Sequence, residues 1–261
     1  MKRAFLLLSF LASISFISSC VEPTEGCLDP FSSNYDLRAD DECEDCCSYP
    51  NFTISTQYLY GEETIDSSIY YDIQADSYFK LRYFYLVLSD FNLYGDEGDY
   101  NLISKTPGKN ISDDLLGVLF KNSSNTPGTI IIEDSIRSLD FKIGIPDVLD
   151  NPANADLDYA VLAFLQDSSF LNSIENRFYK LVVELEVDSV SNEVIRIGLD
   201  DLDFRFTSNV KAGTTRGNSM NVQLIIDFER LFNGVQFQSP SVLEDAKVIL
   251  GQNIGTSIDV N

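Results

Sequence analysis

The chain has 261 residues, with 41 acidic against 18 basic side chains and a formal charge of −23 at pH 7. Phosphate recognition needs a basic patch, so this balance excludes nucleic acid as a partner. Histidine and tryptophan are both absent, which removes every Ser-His-Asp, Cys-His and histidine-metal arrangement. No glycine-rich phosphate loop follows a strand. Adjacent carboxylates such as Asp200 and Asp201 are the raw material of a glycosidase, but among 41 acids such a pair is expected by chance. The chain reads as non-enzymatic.

Lys2 and Arg3 precede an apolar run from Ala4 to Phe16, interrupted by Ser9, Ser13 and Ser15, and then Ile17-Ser18-Ser19-Cys20. The run is too short to remain as a bilayer span and reads as a secretion signal. An aliphatic residue, two small residues and a cysteine form a lipoprotein signal-peptidase box. Residues 1–19 are therefore expected to be removed and Cys20 to be acylated. Two or three acyl chains on one residue anchor stably where one chain binds reversibly, so the expected partner is a membrane, reached through N-terminal lipid.

Residues 20–50 read as a lipidated, acidic, cysteine-rich spacer. Cys27, Cys43, Cys46 and Cys47 are an even set in an exported chain and predict two disulfides. Adjacent cysteines seldom bond to each other, so Cys46 and Cys47 each take one of Cys27 and Cys43, with both pairings open. A zinc site is disfavoured by the missing histidine and the exported address. Asp29, Asn34, Asp36, Asp40 and Asp41 are hard oxygen ligands crowded on a cross-linked loop, a candidate set for calcium, with a solvated acidic linker as the alternative. Gly26-Cys27-Leu28-Asp29-Pro30, Asn34-Tyr35-Asp36, Ala39-Asp40-Asp41 and Cys43 resemble the short cysteine repeats of secreted bacterial surface proteins. Asp41-Glu42 stands where those repeats carry Gly-Ser before the second cysteine.

From residue 51 to 261 the pattern has the two-residue period of half-buried strands. Phe52, Ile54, Thr56, Tyr58 and Tyr60 share one face. Leu81 to Leu88 is apolar on both sides and reads as a central strand. Strands are also expected over Ile130 to Glu133, Ser138 to Ile143, Val194 to Leu199 and Asp203 to Thr207. Tyr179, Leu181, Val183, Leu185 and Val187 face one way, with Lys180, Glu184, Glu186 and Asp188 on the opposite, wet face. Met220, Val222, Leu224, Ile226 and Phe228 alternate likewise with polar residues. Asn154 is placed to cap a helix through Gln166, and Ser241 one through Leu250 that Gly251 ends. Turns are read at Gly95 to Gly98, Thr106 to Gly108 and Thr126 to Gly128, and Lys105 to Thr129 as a long surface loop. The predicted fold is mainly β: an antiparallel β-sandwich with one or two peripheral helices, behind a small disulfide-rich N-terminal segment.

Phe79 to Tyr94, Tyr100-Asn101-Leu102-Ile103, Ile136 to Pro146 and Asn151-Pro152, in that order and behind a lipoprotein signal, resemble the MbnP-like domain family of bacterial envelope lipoproteins. The resemblance implies copper binding through histidines and a modified tryptophan. This chain has neither, and Met220 is its one methionine beyond the signal, so the ligands that select copper are missing and no copper residue carries over. Two readings follow. In the first, this envelope lipoprotein binds a metal ion or small ligand. In the second, it is a structural or adhesive lipoprotein that presents Tyr58, Tyr60, Tyr70, Tyr71, Tyr78, Tyr83 and Tyr85 to a protein or glycan. The resemblance places it at the outer membrane.

Overall fold

The computed structural model describes residues 22–74, 77–96, 98–101, 116–119, 124–131, 136–146, 150, 170–188, 193–212, 217–236 and 242–261. Two short parallel strands, β1 (Glu25–Gly26) and β2 (Asp41–Glu42), belong to the cysteine-rich head. The main domain follows with β3 (Asn51–Tyr60), β4 (Glu63–Thr64), β5 (Tyr71–Gln74), β6 (Ser77–Gly95), β7 (Asp99–Asn101), β8 (Leu116–Leu119), β9 (Ser124–Thr129) and β10 (Ile136–Ile143). Its second half holds β11 (Leu171–Asn172), β12 (Arg177–Phe178), β13 (Leu181–Asp188), β14 (Glu193–Leu199), β15 (Phe204–Ala212) and β16 (Met220–Asp227). Helices α1 (Phe228–Leu231) and α2 (Val242–Asn253), a 3-10 turn (Ile254–Thr256) and β17 (Ile258–Val260) close the chain.

Two sheets enclose one core. The larger runs β14-β13-β6-β10-β15, with β5, β7 and β8 also paired to β6; the smaller runs β17-β16-β3-β4, with β9 on β3. Pairing within the sandwich is antiparallel except between β3 and β16, which are parallel from Met220 against Phe52 to Asp227 against Leu59. A parallel neighbour requires a crossover rather than a tight hairpin. Here the crossover carries the whole of the larger sheet, so the first and last long strands of the domain pair across nearly its full sequence length.

The strands with one dry face lie where alternation puts them. Phe52, Ile54 and Tyr58 of β3 and Met220, Val222, Leu224 and Ile226 of β16 enter the core. The long strand β6 is more instructive, because its inward residues change parity twice. Phe79 and Leu81 point in, then Phe84, Leu86 and Leu88, then Phe91 and Leu93. Each change coincides with a register shift. The first lies between the pairs Glu184–Tyr83 and Leu185–Leu81, and the second between Asp140–Asn92 and Lys142–Ser89. An extra residue in one strand turns all following side chains to the other face. Asp90, within the second bulge, has φ 51°, a left-handed conformation that aspartate tolerates better than most residues. Two of the residues β6 turns outward are not wet either: Tyr85 and Val87 join Ile145, Phe170, Phe178 and Val182 in a second, smaller core on the outer face of the larger sheet.

Several expectations need correction. Within the predicted loop from Lys105 to Thr129 lie β8, paired with Tyr85 to Leu88 of β6, and β9, paired with β3. The predicted turn at Thr126 to Gly128 is part of β9, where a register shift absorbs Pro127, a residue that cannot donate to a ladder. Strand structure there ends at Thr129, so Ile130 is a buried anchor whose N–H bonds the Pro50 carbonyl at 2.9 Å rather than the start of a strand. Gly251 does not end α2, which continues to Asn253. Leu250 and Ile254 are both fully buried one turn apart, and Asn253 Nδ2 bonds the carbonyls of Leu231 and Asn233 at 3.0 and 2.8 Å, which outweighs a cost of about 1 kcal/mol for a helical glycine. Lys180, placed by alternation on the wet face, is only 2 % exposed. The helix expected from Asn154 to Gln166 and the turn at Thr106 to Gly108 lie outside the described residues.

Candidate functional site

The head resolves the cysteine pairing: Cys27 bonds Cys47 and Cys43 bonds Cys46, at sequence separations of 20 and 3. Each of the adjacent cysteines thus takes one of the other two, as expected. Cys20 lies outside the described residues. The five oxygen-bearing residues read as calcium ligands are engaged separately. Asp29 accepts from the Phe31 N–H at 2.9 Å and from the Tyr49 hydroxyl at 2.8 Å. Asn34 accepts from the Ser48 N–H at 2.8 Å and donates to the Cys46 carbonyl at 2.9 Å. Asp36 accepts from Arg38 N–H at 2.9 Å and Asp40 from Thr24 N–H at 3.0 Å, while Asp41 lies exposed in β2. Among the described residues no three His, Cys, Asp or Glu side chains converge as a metal-holding group. These residues act as pegs for backbone N–H groups, a use that aspartate and asparagine share in many tight loops.

A groove of about 570 Å³ opens at the other end of β3, between β5 and α1. Its floor is Tyr60 and Phe232 and its rim is Asp72, Ile73, Glu229, Arg230 and Asn233. Asp227 organises this corner. Its carboxylate caps α1 through the Glu229 N–H at 2.9 Å, receives the Gly61 N–H at 3.2 Å and pairs with Arg230 Nε at 2.9 Å. Gly61 turns the chain at φ +64°, and a β-carbon there would lie 2.7 Å from the Glu229 carboxylate, so the turn and the acid are fitted to each other. Arg230, the one cation on the rim, is spoken for by Asp227 and by Asp259. Among the described residues the Asp72 and Glu229 carboxylates have no ion-pair partner, so the groove is left anionic above aromatic rings.

Burial, and after it the charges of Glu229, Asp72 and Asp227, push the Tyr60 phenol up to about 12. Burial alone does the same for Tyr58. The folded protein therefore holds these protons more tightly than the unfolded chain, whose phenols ionise near 10.0. The resulting stability is complete below pH 10 and is lost as pH rises from there toward 12. Urea midpoints measured across this range are expected to fall, with the fall shallower for Tyr58→Phe. An equally steep fall in that variant would remove Tyr58 as a cause.

The seven tyrosines divide by burial. Tyr58, Tyr71 and Tyr85 are buried, Tyr60 and Tyr83 half-buried, and Tyr70 and Tyr78 exposed. Tyr60, Tyr71 and Phe79 pack with centroids 4.8 to 5.8 Å apart, so most of the cluster is cross-strand packing. Tyr70 lies on Lys80, 5.0 Å from ring centroid to Nζ, and donates to Glu186.

A second groove, of about 500 Å³, lies between the Gly198–Phe204 connection and α2. Three of its four carboxylates are paired with cations, Asp203 with Lys142 at 3.2 Å, Glu244 with Lys247 at 2.7 Å and Asp201 with Arg177 at 3.7 Å, and the fourth, Asp200, accepts from Asn172 Nδ2 at 2.6 Å. Sequence reasoning missed both grooves. Asp72 and Glu229 are far apart in the chain, and nothing local to either marks it.

The architecture is that of a two-sheet, mainly β sandwich whose first and last long strands run parallel in the smaller sheet, with a short helix following the last. No family model and no curated protein matches the sequence. Among solved structures the chain is similar to MbnP from Methylosinus trichosporium, with a TM-score of 0.53 and 11% identity over 82% of this chain and 99% of that one. At this identity the likeness is one of fold, and the chain has a distant MbnP-like fold.

Proposed function

We propose that the protein is a lipid-anchored, outer-membrane envelope protein that binds rather than catalyses, taking a small organic cation into the groove between β5 and α1. The observation that carries this reading is a pair of carboxylates without ion-pair partners among the described residues, Asp72 and Glu229, lining one groove with Tyr60 and Phe232. A diffuse cation such as an alkylammonium or guanidinium group gains from both a carboxylate and a π face. Copper does not suit it. The chain has no histidine or tryptophan, the four head cysteines are in disulfides, and Met220 is 2 % exposed inside the core. Calcium at the head stands as a separate expectation, addressed by metal content after dialysis against calcium and copper together.

Binding is tested by calorimetry on the purified protein with a diamine, a guanidinium compound and a neutral diol of matching length. The two cations are expected to bind and the diol not, and Glu229→Gln with Asp72→Asn to weaken binding by about tenfold or more, because a hydrogen bond to a charged group contributes about 1.5–3 kcal/mol. Equal affinity for the diol, or retained copper with no cation binding, would sink the reading. The anchor has its own test: Cys20→Ala is expected to move the protein from the membrane to the soluble fraction, and membrane retention would count against acylation at Cys20. A second reading rests on the exposure of Ile69, Tyr70 and Tyr78, apolar and aromatic side chains of the kind that meet a protein or glycan partner.

A further inference from the structure

The most unusual group outside the groove is Lys180. Lysine is almost never fully buried unless paired, yet Lys180 is 2 % exposed and its Nζ lies 2.7 Å from Asp150 Oδ2. Both sit beside the small outer core of Tyr85, Ile145, Phe170, Phe178 and Val182. Withdrawing two charges from water costs several kcal/mol per ion, which mutual attraction recovers only when every remaining polar atom is matched. Here one is not: Asp150 Oδ1 is buried with no hydrogen-bond partner, although Oδ2 accepts from Lys180 Nζ and from Arg177 Nε at 2.9 Å, and lies 2.8 Å from Arg177 Nη2. The remaining arrangement is fixed from several sides. Lys180 Nζ also donates to the Asp200 carbonyl, Asn172 Nδ2 holds the Asp200 carboxylate at 2.6 Å, and the Asp150 N–H bonds the Pro146 carbonyl at 3.1 Å.

We propose that Lys180 and Asp150 condense into an intramolecular isopeptide bond that staples the outer face of the larger sheet. A nucleophilic nitrogen is held against a carboxyl group, away from water that would reverse the reaction, which is the condition under which positioning alone contributes most to rate. The ammonium of Lys180 gives up two of its three protons, and its nitrogen bonds Asp150 Cγ. The Cγ–Oδ1 bond breaks, and Oδ1 leaves with those two protons as one water. The positive and negative charges cancel, and no oxidant or cofactor is consumed. Arg177, aimed at Oδ2, stabilises the negative charge that develops there as the carbon becomes tetrahedral and remains bonded to the amide oxygen afterwards. The product exchanges two buried charges and an unmatched oxygen for one neutral amide. Arg177 is a positioning residue, because it neither gains nor loses a covalent bond.

The experiment is peptide mapping of the full mature protein, reduced, unfolded and digested, with mass spectrometry of the fragments. The expected result is one branched peptide that contains both Lys180 and Asp150 and weighs one water less than its two parts. Lys180→Met should return two linear peptides. Asp150→Asn should give the same branched product by losing ammonia, which no salt bridge can mimic. Arg177→Gln should lower the branched fraction without abolishing it. Linear peptides carrying unmodified Lys180 and Asp150 from the folded wild-type protein would overturn the proposal, whatever the variants do.

Discussion

Asp150→Ala is expected to lower unfolding free energy by about 3–5 kcal/mol, because it strands a buried cation whose partner has been removed. Asp150 is the single carboxylate shared by Lys180 and Arg177. Arg177 is part exposed, with a side chain 42% accessible, and can turn to water or to Asp201. Among the described residues Lys180 has only the Asp200 carbonyl left. Lys180→Met should cost less, since Asp150 keeps Arg177. The double change Lys180→Met with Asp150→Leu removes the stranded charge and should recover part of the loss, the shortfall reporting on the closed loop from 150 to 180. Urea unfolding of the three variants measures this order. A single Asp150→Ala cost below about 1 kcal/mol, the range of exposed pairs, would show that water reaches the site.

Phe84→Ala has the other large expected effect, about 3–5 kcal/mol. Phe84 comes from the larger sheet, is fully buried, and meets Phe228 of α1 edge-on at 5.0 Å and Tyr58 of the smaller sheet at 6.3 Å. Its ring therefore joins three elements that the chain brings together from separate regions. Removing it opens a void that neither sheet can close without breaking its own ladder. Ile174→Ala, at a side chain 89% exposed, is the control and should change stability by no more than about 0.5 kcal/mol. Similar urea midpoints for the two variants would mean that the sheets repack around the loss.

What the sequence discloses depends on how far apart the causes lie. In β3 and β16 one face is dry and the other faces water or a polar neighbour, so period-two alternation marks the strands; β13 alternates in residue type although Val182 and Glu186 on its outward side are buried as well. The same rule is blind to β6, whose two bulges at Arg82 and Asp90 reset the parity, and whose outward side is buried under a second core at Tyr85 and Val87. Lys180 follows the alternation of β13 but not its meaning, because the partner that makes burial tolerable lies 30 residues earlier. In the head, the cysteine count and the adjacency of Cys46 and Cys47 predicted the style of bonding, and only the fold selected which pairs. In the oxygen-rich loop the residue types are those of a cation site, and hydrogen bonds to backbone N–H groups use most of them one at a time, a use that residue type alone does not reveal. The groove between β5 and α1 had no sequence signal at all, being assembled from a hairpin edge and a one-turn helix.

The parallel pair β3 and β16 sets how the molecule would carry a pull. A pull on the N-terminal side of the domain would draw on Asn51, where β3 begins, and a pull on α1 would draw on Asp227, where β16 ends. The two strands run the same way, so these forces act at opposite ends of one ladder, from Phe52 with Met220 to Leu59 with Asp227. That ladder is about 26 Å long at roughly 3.3 Å per residue. Its hydrogen bonds are then stretched sideways all at once, instead of being opened in turn like the teeth of a zip. Resistance to such tension is governed by the rate of unfolding rather than by equilibrium stability, so a pull across these two ends would meet the ladder in shear, where it yields most slowly.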